Sequence, residues 1–158
     1  IILLAACSVF VVVHRINVLT LRDGDRMISI YVVDPGDTFL LKYLHSVALS
    51  DVWEKFAVDG EQRIVLTETR FKGQGAGLPT SLSGAEKLVR EADWFRITGM
   101  SRRMPYLNWR IQKEWENRFI FGNGAELNLS RRFGDMLIRI AVEEMEPLTW
   151  LFYRLTSA

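Results

Sequence analysis

Three ionisable residues in the middle of the chain lie at positions where the surrounding pattern predicts inward-facing apolar side chains. His45, Glu54 and Glu68 each occur among alternating hydrophobic residues. Because a buried charge is costly unless it is paired or hydrogen-bonded, these groups need partners. Together with Arg70, on the same predicted strand face as Glu68, they form a candidate polar cluster.

The partners within this cluster depend on strand register. A two-residue turn at 49–50 would place His45 opposite Glu54, as a charge-assisted hydrogen bond across neighbouring strands. A longer loop after the next strand would place Glu54 opposite Glu68. Two facing carboxylates repel, so the pKa of one rises or a cation such as Arg70 lies between them. A tighter turn would offset the two glutamates.

The cluster is compatible with a satisfied structural network, a ligand site or a divalent metal held by His45, Glu54 and Glu68. The metal itself stays unknown, because no close-spaced ligand motif accompanies these residues. His45 and Ser46 are adjacent on a predicted strand, so they point to opposite faces and cannot form a nucleophile–base pair. We therefore predict no catalytic residue, no cofactor and no enzyme activity.

A glycine-rich loop follows, with Gly73, Gly75, Gly77, Leu78 and Pro79 as candidate partner-binding residues. A Walker loop would continue with lysine and a hydroxyl residue into a helix, whereas Leu-Pro follows here. A dinucleotide fingerprint would need a βαβ setting. The glycines permit positive φ or close backbone approach. The loop is thus either a structural turn or a surface loop that binds a partner.

The elements that must position these residues are short alternating runs separated by turns such as Asp23-Gly24. This pattern predicts an all-β fold, a β-sandwich or barrel-like domain of about 8–10 strands. One short helix is predicted near 84–92. Ser83 and Glu86 have capping-box spacing there, and apolar residues recur at helical intervals from Ala85.

The chain divides into three predicted parts: a membrane anchor or signal segment at 1–15, a β domain at 16–146 and a short C-terminal amphipathic helix at 147–158. An apolar run of about 10–14 residues is too short to cross a bilayer alone, and it fits a signal-peptide core or part of an anchor. An uncleaved anchor, a lipidated Cys7, a cleaved signal and a buried strand remain alternatives. Pro147 can open the last helix.

The C-terminal helix combines an apolar stripe with Trp, Tyr and Arg, a composition typical of membrane interfaces. It either closes the core or contacts a membrane surface or a partner. The stripe consists of Leu148, Leu151, Phe152 and Leu155, beside Trp150, Tyr153 and Arg154.

Composition limits the remaining classes. The formal net charge is +1, which argues against the clustered basic surface that nucleic acid requires. Five Trp and nine Phe supply enough apolar volume for a core. A single cysteine, Cys7, excludes an intrachain disulfide.

Four short segments follow one another in a distinctive order. They are Tyr43-Leu44-His45-Ser46-Val47, Glu54-Lys55-Phe56, Glu68-Thr69-Arg70-Phe71 and Gly75-Ala76-Gly77-Leu78-Pro79. Taken in this order, they resemble a bacterial family called domain of unknown function 1850, whose members show such elements after a signal-like or anchoring segment. The resemblance is good over roughly residues 17–80 and vaguer beyond.

The resemblance implies a neighbourhood more than an activity. Such proteins are commonly encoded beside TAXI-type TRAP transporters, which take up organic acids with a substrate-binding protein and a membrane permease. It implies a non-enzymatic, membrane-anchored accessory protein of such a transporter, acting with the permease or the substrate-binding protein. The β domain would lie on the periplasmic or extracellular side of the cytoplasmic membrane. The alternative is a β domain that binds a small ligand or a divalent cation.

Overall fold

The computed structural model describes residues 15–47, 49–72 and 82–156. Within these residues twelve strands form two antiparallel sheets, so the all-β prediction is confirmed with somewhat more strands than expected. The strands are β1 (Ile16–Asp23), β2 (Arg26–Val32), β3 (Thr38–Leu44), β4 (Asp51–Val58), β5 (Ile64–Lys72), β6 (Lys87–Glu91), β7 (Trp94–Thr98), β8 (Arg102–Met104), β9 (Tyr106–Ile111), β10 (Arg118–Phe121), β11 (Glu126–Asn128) and β12 (Met136–Met145). Helices α1 (Leu129–Phe133) and α2 (Pro147–Thr156) and a 3-10 turn (Lys113–Trp115) complete the described elements.

The sheets are unequal in size. The smaller has the order β2-β1-β12-β9, and the larger has the order β11-β10-β3-β4-β5-β7-β6. Two short strands share the same edge of β5: β8 pairs with the first residues of β5, and β7 pairs with its last residues. The two sheets contribute to one shared core, which makes the domain a β-sandwich.

Stacked aromatic rings join the sheets at the centre of this core. Phe39 stacks on Phe56 and on Phe119, each with ring centroids 5.1 Å apart. Tyr31, from the smaller sheet, stacks on Phe119 of the larger one at 5.9 Å. Because aromatic rings bury large apolar areas, these contacts fix how the two sheets face each other.

The predicted helix at 84–92 is wrong, because β6 occupies most of this stretch. The capping-box residues do bond, the Ser83 N–H donating to the Glu86 carboxylate at 3.0 Å, but they close a turn. Gly84 in that turn has φ +59°, which is not helical. Leu88 stays 51% exposed. A helix here would not bury its apolar residues against another element, so helix formation is not stabilised. The segment instead pairs with β7 as an edge strand.

Helix α2 begins at Pro147, as the sequence predicts, and packs on the face of the smaller sheet that points away from the shared core. Trp150 and Tyr153 contact a small cluster containing Val18 and Ile30. None of the helices in the described part of the chain has the length and apolar content needed to cross a bilayer. Residues 1–14 of the predicted anchor or signal segment lie outside the described residues.

Candidate functional site

The structure does not bring the predicted polar cluster together. His45 follows the end of β3, and the last pair of the β3–β4 ladder is Leu44 with Asp51. Leu41 is the residue opposite Glu54. The register that would pair His45 with Glu54 therefore does not form, because the connection between β3 and β4 is longer than a two-residue turn.

The histidine takes part in the turn itself. The His45 N–H donates to the carbonyl oxygen of Ser50 at 2.9 Å, and its Nδ1 accepts from the Val47 N–H at 3.2 Å. The Leu49 N–H donates to the His45 carbonyl at 2.8 Å. His45 thus has a local structural role in shaping the turn.

A β-bulge separates Glu54 from Glu68. Pairing shifts between Lys55 and Phe56, so that Thr67 is an extra residue on β5. Glu54 then lies opposite Thr69 on the inner face, and Glu68 lies opposite Lys55 on the outer face. Of the two registers left open, the one with the longer loop forms, since Val58 lies opposite Ile64, but the bulge still keeps Glu54 and Glu68 from facing each other.

Glu54 is half-buried on the face of its sheet that is turned toward the other sheet, and it lines a cavity of about 210 Å³ that is open to solvent. Strands β3 and β4 of the larger sheet form one wall, and β9 with the segment after it forms the other. The other lining residues are Tyr43, Trp109, Arg110, Trp115 and Asn117.

Burial raises the pKa of Glu54 from an ordinary 4.5 to about 7. Burial also raises the pKa of Tyr43, and the nearby charge of Glu54 raises it further. Within the described residues Glu54 has no ion-pair or hydrogen-bond partner, and burial is the one cause of its raised pKa. The cavity therefore contains a carboxyl group that titrates near neutral pH beside a phenol that stays protonated.

The far wall of the cavity is fixed by a buried amide. The Asn117 side chain is fully buried, and its Oδ1 accepts from the Gln112 N–H at 3.1 Å and from the Ser130 hydroxyl at 3.0 Å. The Trp115 N–H donates to the Gln112 carbonyl at 3.1 Å, which closes the 3-10 turn that carries this indole. The cavity is thus held by elements that are themselves hydrogen-bonded.

The outer face holds the other two predicted cluster residues. Arg70 lies 3.7 Å from Glu91, and Glu68 lies 3.9 Å from Arg96. Arg96 also pairs with Glu91, and the Arg70 guanidinium stacks over the Trp94 ring at 4.9 Å. These residues form a partly exposed ion-pair network, separate from Glu54.

Sequence reasoning missed the partners on both faces. Glu91 lies on β6 and Arg96 on β7, and the sequence pattern had predicted a helix in place of that hairpin. Trp109 and Trp115 reach Glu54 from more than 50 positions away, across the sandwich. The one local signal was the alternation of Trp109 with Ile111, which indicated an inward-facing indole.

Two further predictions bear on binding. In the parts of the chain that the structure describes, no three His, Cys, Asp or Glu side chains come close enough to hold a metal ion. The candidate partner loop, with Gly73, Gly75, Gly77, Leu78 and Pro79, lies outside the described residues.

Fold and cavity together define the class: a small antiparallel β-sandwich with a single half-buried carboxyl group at an open, aromatic-lined cavity. The family described as Domain of unknown function (DUF1850) matches residues 39–129, and the chain belongs to it. The match includes every residue that lines the Glu54 cavity and excludes α2. No curated protein and no solved structure matches the chain.

Proposed function

We propose that the chain is a non-enzymatic accessory domain that rests on the outer surface of the cytoplasmic membrane and acts with a TAXI-type TRAP transporter. The partner would be the transporter's permease or its substrate-binding protein. The observation that supports the membrane contact is an apolar helix face that the β domain leaves uncovered, whereas the transporter partner is what the family resemblance implies.

That face belongs to α2. Four apolar side chains at helical spacing are exposed: Leu148 (60%), Leu151 (44%), Phe152 (61%) and Leu155 (77%). The other side of the helix, through Trp150 and Tyr153, already packs on the smaller sheet. Exposed apolar stripes of this kind mark membrane or partner contacts, since a helix that only closed a core would turn such residues inward.

The position of α2 favours a lipid surface as the occupant. Ile16 pairs with Met145, two residues before the helix begins at Pro147. The chain that follows the apolar run at 1–13 therefore enters the β domain at the corner where α2 leaves it. If that run anchors in a membrane, the exposed face of α2 lies beside the same membrane.

The membrane contact can be tested with an environment-sensitive fluorophore. In the full chain with Cys7→Ser, a dye on Leu155→Cys should shift its emission to the blue when phosphatidylglycerol vesicles are added. The matched control is Leu137→Cys, also an exposed leucine (43%) but at the far end of β12. It lies about 26 Å along the strand from Met145, at about 3.3 Å per residue. Equal shifts at both positions, or none at Leu155, would contradict docking through α2.

The transporter partnership needs a separate measurement. A tagged full-length chain should co-purify with the permease from detergent-solubilised membranes, and deletion of its gene should reduce organic-acid uptake. Leu151→Ser with Phe152→Ser should weaken recovery, because both side chains leave the exposed face of α2. Full substrate uptake in the deletion strain would end the transporter hypothesis while leaving membrane docking open.

A further inference from the structure

The Glu54 cavity combines aromatic rings with one acidic side chain. Three aromatic residues, Tyr43, Trp109 and Trp115, surround one carboxyl group. Tyr43 and Trp109 meet edge to face with ring centroids 6.3 Å apart, so their relative orientation is fixed. Glu54 has no cationic partner within the described residues.

The one basic residue at the cavity contributes through its backbone. Along β9 burial alternates, with Trp109 half-buried, Arg110 exposed and Ile111 buried. The Arg110 guanidinium therefore points to the opposite face of the smaller sheet. The backbone carbonyl oxygen of Arg110 accepts a hydrogen bond from the Asn117 side-chain amide at 3.5 Å, on the cavity side.

We propose that this cavity binds a small organic ammonium group, with Glu54 as its counter-charge and the rings of Tyr43, Trp109 and Trp115 as its walls. The faces of aromatic rings attract cations that lie within about 6 Å of the ring centroid. An anion would meet the carboxyl group with no positive side chain to offset it. A metal ion would find a single carboxylate ligand. The inference does not depend on the proposed membrane function.

The size of the cavity restricts the ligand. Its volume of about 210 Å³ equals the space of roughly seven water molecules at about 30 Å³ each. Pockets for drug-sized ligands usually measure about 300–1,000 Å³. The ligand is therefore a compact ammonium, free or at the end of a larger molecule such as a phospholipid head group.

Binding should depend on pH in a defined direction. A bound cation favours the carboxylate over the acid, so it displaces the proton of Glu54, whose pKa is about 7. Affinity should rise with increasing pH through about 7 and then level off. The other titratable groups at the cavity are Tyr43, which stays neutral because its pKa is raised, and Arg110, which points away.

The test compares choline with 3,3-dimethylbutan-1-ol, a neutral molecule of the same shape. Each is titrated into the full chain in a maltoside detergent, which carries no ammonium, and heat of binding and tryptophan fluorescence are recorded. Choline should bind saturably, and the neutral alcohol should bind at least about tenfold more weakly, the scale of one charge-assisted contact. No saturable choline binding at millimolar concentration, or equal affinity for both molecules, would overturn the proposal.

Variants locate the binding. Glu54→Gln keeps the shape and removes the charge, so choline affinity should fall at least about tenfold. The matched control, Glu68→Gln on the outer face, should leave affinity unchanged. Trp109→Leu should also weaken binding, which tests the aromatic wall if the first variant misfolds. Unchanged affinity in a folded Glu54→Gln protein would refute the site.

Vesicles separate the two sources of the ammonium. The chain is reconstituted in phosphatidylcholine or in phosphatidylglycerol vesicles, and free choline is titrated into each. A head-group ligand predicts that phosphatidylcholine competes with choline, whereas a free metabolite predicts equal affinity in both.

Discussion

The two faces of the β4–β5 ladder carry the same kind of acidic residue in opposite settings. On the inner face Glu54 is half-buried beside Tyr43, and desolvation raises its pKa to about 7. On the outer face Glu68 is partly exposed and lies within 3.9 Å of Arg96. The two glutamates lie at neighbouring positions of the same ladder. Glu54 nevertheless lacks a partner among the described residues, whereas Glu68 belongs to an ion-pair network.

This contrast shows how a β-bulge can place two nearby acidic side chains on opposite faces of a sheet. The extra residue Thr67 moves Glu68 outward, where water and arginine stabilise its charge. Glu54 keeps its inward, half-buried position, where desolvation disfavours its charge and no cationic side chain of the described residues offsets it. A desolvated group without a protein partner is thus a stronger site candidate than a larger cluster of paired ones.

The largest expected effect comes from removing packing on the inner face alone. Phe56→Ala should lower the free energy of unfolding by about 3–5 kcal/mol, because this ring is buried and stacks on Phe39. Lys55→Ala, on the next residue but outward and exposed, should change it by less than about 0.5 kcal/mol. Urea unfolding of both variants measures the difference. Similar losses in both would show that the two faces are not energetically distinct.

Much of the fold could be predicted because local rules decide it. The Asp23-Gly24 turn, the alternation of β4 and the proline that opens α2 are signals within a few residues, and each element forms where predicted. The helix at 84–92 failed because capping-box spacing also closes a turn, and only the tertiary contacts of β6 decide between the two.

The site was less predictable because it depends on register and on distant strands. The inward position of Glu54 followed from alternation. The placement of Glu68 required the bulge at Thr67, which has no sequence signature. Trp109 and Trp115 approach Glu54 only because β9 belongs to the other sheet. How two sheets pack on each other is not determined by local sequence.

The next prediction tests whether the folded chain leaves the desolvated Glu54 carboxyl group without a stabilising partner. Its pKa is about 7 in the folded chain and 4.5 ordinarily, so between these values the folded state binds more protons than the unfolded state. Stability should therefore fall as pH rises, by about 3 kcal/mol between about pH 4 and pH 8, at about 1.4 kcal/mol per pKa unit.

Comparing variants isolates this term from other titrating groups. Glu54→Gln should remove the decline, whereas Glu68→Gln should keep it, and urea unfolding at several pH values measures both. An unchanged pH profile in Glu54→Gln would mean that water or an unrecognised donor already satisfies the carboxylate, and the contrast between the faces would lose its basis.

The smallest effect concerns the outer network. Arg70 and Arg96 lie directly opposite each other, and Glu91 pairs with both. Glu91→Gln should leave two like charges side by side and cost about 1 kcal/mol or less, because the groups are partly exposed. The loss should shrink in high salt, which screens partly exposed charges. A loss that is large and independent of salt would mean that the outer face is as desolvated as the inner one.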